Sequence, residues 1–258
     1  MKFAVTRGRN AQGNLTDEAK AWAVALGREY IPRLKNESLE ELLAKYNLDA
    51  LLLATQNGPQ IYNREGILRF HPGMAVLRLE NLCKGLKDNF TTACALQPGE
   101  KFLDCTLGLG GDSAIAAYLV GETGKVVGLE ASQPLWFLVK QGLEHYQCEN
   151  PLLTKALRRI TALNVKAEEY LVTLPADSFS VLYFDPMFRH PIKASSNMVP
   201  LRPVAYTMPL TKEVLKEALQ VAPKVVIKEH TEKVLSELGC EEIVGGKYSH
   251  VKYGILRR

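Results

Sequence analysis

The chain has 258 residues, 47% hydrophobic and 23% charged, which excludes wholesale disorder and suits one large α/β domain or a catalytic domain with a smaller appendage. Its 32 lysines and arginines against 28 acids give a net charge of +4 and a pI near 8.7, which permits a polyanionic partner without requiring one. No stretch approaches the ~20 apolar residues that a membrane span needs. Charge arrives too early in Met1 to Arg7 for a signal-peptide core, so a cytoplasmic protein with no membrane association is expected. Five scattered cysteines (Cys83, Cys94, Cys105, Cys148 and Cys240) form no C-x-x-C pair, and the five histidines share no ligand spacing; no metal site is expected.

Residues 1–72 read as a small α+β unit. Phe3 to Thr6 suits a short strand. Thr16 is placed to cap a helix whose apolar residues Ala19, Trp22, Ala23, Leu26 and Tyr30 recur at helical spacing until Pro32. Ser38 and Glu41 form a capping box for a second helix reaching Tyr46. Ala50 to Thr55 is a buried-strand run, and a turn at Asn57-Gly58-Pro59 leads to a strand at Gln60 to Tyr62.

Residues 73–258 alternate strand and helix. After a helical linker at Met74 to Lys84, strands are expected at Lys101 to Cys105, Lys125 to Leu129, Ile160 to Leu163, Val181 to Phe184 and Lys224 to Ile227. Helices fall at Ser113 to Val120, Pro134 to His145, Glu168 to Leu174, Thr211 to Val221 and Glu232 to Leu238. Two last strands, Glu242 to Val244 and Tyr253 to Leu256, follow without a helix between them. The pattern implies a doubly wound, mostly parallel α/β sheet with an antiparallel edge pair at its C-terminal end.

Phe102-Leu-Asp-Cys-Thr-Leu-Gly-Leu-Gly-Gly-Asp112 is the most informative segment. A strand runs into glycines and then a helix, which brings backbone amides to a ligand at the carboxyl end of the sheet. Ser113 stands where a dinucleotide fingerprint has its third glycine. Asp104 and Asp112 would repel a pyrophosphate but suit the ammonium of a methionine, so the loop favours a nucleoside carrying a cationic amino-acid tail. Glu130, about twenty residues on, is placed to accept ribose hydroxyl protons, and Lys166 and Ala167 follow strand Ile160 to Leu163 where an adenine edge would lie.

The strand ending at Phe184 runs into Asp185-Pro186-Met187-Phe188. An exocyclic amine on an aromatic ring is a poor nucleophile because its lone pair is delocalised. Accepting its N–H protons with Asp185 and the Pro186 carbonyl turns the lone pair toward an incoming methyl group, and Phe188 offers a stacking surface for the base. Arg189, His190, Lys193 and Arg202 make the following segment basic, as a phosphate-contacting loop would be. A methyltransferase acting on a small molecule or protein, and a nicotinamide-dependent oxidoreductase, are the alternatives.

The succession of Leu103 to Asp112, Glu130, Asp185 to Phe188 and Val226-Ile227-Lys228 resembles class I, Rossmann-like S-adenosylmethionine-dependent methyltransferases. Within them it is similar to the bacterial family that methylates the exocyclic N2 of a guanine in small-subunit ribosomal RNA. The resemblance covers roughly residues 75 to 258, departing where Gly111 replaces the family's arginine and Arg189 its proline. It implies S-adenosyl-L-methionine as cofactor and an RNA substrate. Gly108, Gly110, Gly111, Asp112, Glu130, Ala131, Lys166, Ala167 and Asp185, with Asp104 beneath them, would hold the cofactor. Asp185, Pro186 and Phe188 would be catalytic, and Met187, Phe188, Arg189, Lys193 and Lys228 would meet the substrate. The oligomeric state stays open.

Overall fold

The structure, a computed structural model, describes residues 1–9, 14–186, 199–207, 210–246 and 249–258. In chain order its elements are β1 (Phe3–Arg7), α1 (Leu15–Leu26), α2 (Leu39–Lys45), β2 (Ala50–Thr55), β3 (Gly58–Asn63), β4 (Gly66–Arg69), α3 (Ala75–Cys83) and α4 (Asn89–Cys94). Then come β5 (Lys101–Asp104), α5 (Gly111–Val120), β6 (Lys125–Leu129), α6 (Gln133–His145), α7 (Pro151–Arg158), β7 (Ile160–Leu163), α8 (Ala167–Leu171) and β8 (Val181–Phe184). The chain finishes with α9 (Lys212–Val221), β9 (Lys224–Glu229), α10 (Glu232–Glu237), β10 (Glu242–Val244) and β11 (Lys252–Arg257).

Two compact units result. The first holds residues 1–71, 132–145 and the described part of 191–205. Its sheet has the order β1-β2-β3-β4, with β1 and β2 parallel and the rest antiparallel. Ala4, Leu51 and Leu53 of the strands meet Leu42 and Leu43 of α2 and Ile31 in one apolar cluster. Helix α1 buries Leu15, Ala19, Ala23 and Leu26 and stops at Gly27, whose left-handed φ of 61° suits glycine. The helix thus ends before Tyr30, which bridges to Val5 instead, and Pro32 terminates nothing. Nor does Thr16 cap α1: the helix starts two residues earlier than such a cap would allow, with Asn14 at the cap position and no side-chain bond. The Ser38–Glu41 capping box of α2 is present in both directions. Helix α6 belongs to this unit, with Phe137 beside Trp22 (centroids 5.0 Å apart) and Gly142 so close to Phe70 that no Cβ fits.

The second unit is an α/β domain built on a seven-stranded sheet, ordered β10-β11-β9-β8-β5-β6-β7. Strands β9, β8, β5, β6 and β7 run parallel, while β11 and β10 are the antiparallel edge pair. Period-two alternation splits the sheet's side chains between two faces. Leu103, Leu182, Phe184 and Ile227 join Leu171 of α8, Leu215 and Ala218 of α9 and Leu235 of α10 in one core. Phe102 and Tyr183 point the other way and meet Phe90 of α4, whose ring centroid lies 5.1 Å from that of Tyr183. Helix α5 packs on β5, β6 and β7, with α3 and α7 against it. Because the chain leaves β5 for β6 on one side and returns as β8 on the other, the carboxyl ends of β5 and β8 form a topological switch point, where open α/β sheets bind ligands.

Candidate active site

The loop between β5 and α5 is held open by its own backbone. Leu107 N–H donates to Leu129 O (2.9 Å) and Gly110 N–H to Leu107 O (2.7 Å). Gly108 and Gly110 have φ values of +50° and +75°, which side chains disfavour. Beneath the loop Leu107 lies against Gly128 of β6, where a Cβ would come within 2.5 Å of Leu107 Cδ1. Glu130 follows β6 directly and is only 7% exposed, with its amide bonded to Leu163 O. Asn164 Nδ2 donates to the carbonyls of Glu130 (2.8 Å) and Ala131 (3.2 Å) and fixes that turn. Ala167 is buried at the start of α8, while Lys166 is exposed and pairs with Glu169 at 2.8 Å.

The two aspartates of the loop are already engaged. Asp104 is 1% exposed; its carboxylate accepts from Ser113 Oγ (2.7 Å) and from the Thr106 amide (3.0 Å). Burial pushes its pKa up to about 7 against those two hydrogen bonds, so it braces the loop from inside. Asp112 opens α5 and accepts from Arg78 Nη1 (2.5 Å), Tyr183 Oη (2.7 Å) and Lys228 Nζ (3.2 Å). Burial would raise its pKa, but Lys228 and Arg78 outweigh that and hold it at about 2. Neither carboxylate is therefore a bare acid waiting for an ammonium group.

The same lysine reaches the acceptor turn. Lys228 Nζ lies 2.7 Å from Asp185 Oδ2, and the Asp185 amide donates to Thr106 Oγ1 at 2.6 Å. Asp185 is thus tied to the glycine loop through its backbone and to the first turn of α5 through Lys228. Its other oxygen, Oδ1, has no hydrogen bond among the described residues. Burial raises the Asp185 pKa and Lys228 opposes the rise. Lys228, expected to meet substrate, is here engaged by two carboxylates. Met187, Phe188, Arg189, His190 and Lys193 lie outside the described residues, and Pro186 is half-buried beside Asp185.

Two participants escape sequence reading. Arg78 of α3 bonds Asp88 (2.6 Å) and Asp112, partners ten and thirty-four residues away, and its buried Nη2 has no partner among the described residues. Thr106 was legible only as the residue after Asp104-Cys105; its hydroxyl joins the two strand ends.

The donor set fits a sulfonium nucleoside with an amino-acid tail. Glycines clear the approach to the loop backbone, a buried acid closes β6 where ribose hydroxyls would need an acceptor, and Arg78 retains an N–H group suited to a carboxylate. No helix among the described residues is long and apolar enough to cross a membrane, and no cluster of three His, Cys, Asp or Glu suited to a metal occurs among them.

Comparison with known proteins identifies the family. Residues 40–249 match the family model described as "Putative SAM-dependent methyltransferase". "Uncharacterized protein YpiP" of Bacillus subtilis is 35% identical over 93% of both chains. "Ribosomal RNA small subunit methyltransferase J" of Acinetobacter baylyi is 30% identical over 53% of this chain and 54% of its own length. Its Acinetobacter baumannii counterpart is 26% identical over 74% and 72%. The SAM-dependent methyltransferase NGO1261 of Neisseria gonorrhoeae shares the fold, with a TM-score of 0.60 at 19% identity over 98% of this chain and 95% of that one. The nicotinamide alternative falls away. With its family model, its full-length relative and its doubly wound sheet in agreement, the chain belongs to the S-adenosylmethionine-dependent methyltransferases.

Proposed function

We propose that the chain transfers a methyl group from S-adenosylmethionine to the exocyclic N2 of a guanine in small-subunit ribosomal RNA, in the cytoplasm. One observation carries the reading. Asp185 stands at the carboxyl end of β8 with Oδ2 fixed by Lys228, Oδ1 open, and its backbone tied to the cofactor loop. An amine acceptor needs such a group, since Oδ1 and the Pro186 carbonyl can take its two N–H hydrogens and turn the lone pair along the line of attack. The relatives named as ribosomal RNA methyltransferases support the substrate class.

In this reading Gly108, Gly110, Gly111, Asp112, Glu130, Ala131, Lys166 and Ala167 line the cofactor's place, with Asp104 bracing the loop. The cofactor, when bound, supplies an electrophilic methyl group. Asp185 orients the amine and carries negative charge beside the nitrogen as it becomes cationic; the excess proton then leaves through Asp185 to solvent. Phe188 stacks on the base, and Met187, Arg189 and Lys193 meet the RNA. The first unit, residues 1–71 with α6, serves as a docking module, and the second, α/β unit carries catalysis.

The test is transfer of tritium from labelled cofactor to undermethylated ribosomal RNA. Wild type should label RNA, and Asp185→Asn should cut turnover by about 100-fold or more while S-adenosylhomocysteine still binds. Label found only in protein would overturn the RNA reading.

A further inference from the structure

Outside the methyl-transfer site, the first unit brings three arginines together, two of which line one cleft. Arg7 is the last residue of β1, and Arg9 follows Gly8, whose amide donates to Ala54 O of the parallel neighbour β2. These residues stand at the carboxyl ends of two parallel strands. Arg33 comes from the segment after the Val5–Tyr30 bridge. Arg7 Nη2 donates to Arg33 O (3.4 Å), and Arg33 Nε donates to Glu37 O (2.9 Å), which aims the half-buried Arg33 side chain and leaves its other guanidinium nitrogens for a ligand. A cavity of about 260 Å³ opens there, with Arg9, Arg33, Glu37, Glu40, Ser38 and Tyr62 among its lining residues.

Arg9 and Arg33 in the lining are matched in number by Glu37 and Glu40, and Arg7 and Lys45 beside them bring the positive excess. Glu37 acts on Arg33 as a counter-charge, but its carboxylate is shared with Lys45 (3.1 Å) and the Leu34 amide (3.3 Å). Glu41 is bound into the α2 capping box, and Glu40 is exposed. None of Arg7, Arg9 or Arg33 has an ion-pair partner among the described residues. Burial and then repulsion from Arg9 and Arg7 push the Arg33 pKa down, with Glu37 opposing them in part. Guanidinium forks match phosphate oxygens in pairs, and Tyr62, packed against the core of this unit, forms part of the cavity wall.

We infer that Arg9 and Arg33, backed by Arg7, form a phosphate-binding cleft that holds one nucleotide of the RNA backbone. The assignment of that phosphate to RNA rests on the proposed function; the cleft itself does not.

The experiment uses the full chain and an unmodified transcript of small-subunit ribosomal RNA, followed by fluorescence anisotropy across a salt series. Arg9→Gln/Arg33→Gln should lose about tenfold or more in RNA affinity. The slope of log K against log salt should become shallower by about 0.7 for each phosphate given up, with S-adenosylhomocysteine affinity unchanged. Arg9→Lys/Arg33→Lys should recover part of the loss. Arg9→Gln alone breaks no hydrogen bond among the described residues, so it gives a clean reading even if Arg33→Gln disturbs the fold. Unchanged RNA affinity and slope overturn the cleft while leaving methyl transfer standing. Arginine-dependent RNA binding without RNA methylation by wild type supports the cleft and sinks the proposed function. Arginine-dependent uptake of pyrophosphate with no change in RNA binding overturns the RNA assignment in favour of a small phosphate compound.

Discussion

Replacing Lys228 by methionine removes a cation shared by Asp112 in the first turn of α5 and Asp185 after β8. At 2.7 Å from Asp185 and 3.2 Å from Asp112, each contact is worth about 5 to 6 kcal/mol of gross attraction at an effective dielectric of 20. Desolvation of the three groups offsets most of that in the wild type, but deleting one partner leaves the others buried. Asp112 keeps Arg78 and Tyr183, and the Asp185 side chain is 27% exposed. The net loss therefore falls near the low end of the range for a broken buried pair, about 3 kcal/mol. Chemical denaturation measures it. The chemical consequence is separate from the structural one. Burial already raises the Asp185 pKa and Lys228 opposes it, so removing the lysine raises it further. Asp185 then becomes a carboxylate only at higher pH, and the acid limb of kcat/KM moves up the pH scale. Lys228→Arg, which keeps the charge, should return the limb toward its original position. A loss below about 1 kcal/mol together with an unmoved pH profile would refute this account of Lys228.

Asp104 and Gly128 give two further expectations. Because the folded pKa of Asp104 stands near 7, above its ordinary 3.8, the folded state holds an extra proton between those values. Its contribution to stability is present below about pH 4, is lost as pH rises through 7, and stays lost above. Asp104→Asn should therefore gain on wild type by on the order of 1 kcal/mol per pH unit across that window; urea unfolding at pH 5 and pH 8 that gives the same difference contradicts it. Gly128→Ala drives Leu107 out of its seat under the glycine loop, an overpacking cost of about 1 to 3 kcal/mol. S-adenosylhomocysteine should bind about tenfold more weakly by titration calorimetry; equal affinity would mean that the loop does not need Leu107 there.

The second, α/β unit of the chain was legible because its signals are local. Strands β6, β7, β8 and β10 begin and end where the apolar runs place them, and the edge pair follows from two strands without a helix between them. Helix α7 was missed although Asn150 and Pro151 mark its start, because eight residues give the apolar stripe of Leu153, Ala156 and Leu157 little room to repeat. Helix α4 and strand β4 are shorter still. In the candidate site the sequence pointed to Asp104, Asp112, Asp185 and Lys228 but not to who holds whom. Asp112 reads as a free acid in one dimension, yet its partners Arg78, Tyr183 and Lys228 come from α3, β8 and β9, brought together only by strand order. Charge pairing across such distances leaves no spacing to read.

The central claim, methylation of a guanine amine in RNA, is tested most directly by nucleoside mass spectrometry of small-subunit ribosomal RNA after incubation with the enzyme and S-adenosylmethionine. The account predicts a gain of N2-methylguanosine with wild type and none with Asp185→Asn. A methyl group on another base, on a ribose, or on no RNA nucleoside at all would contradict it.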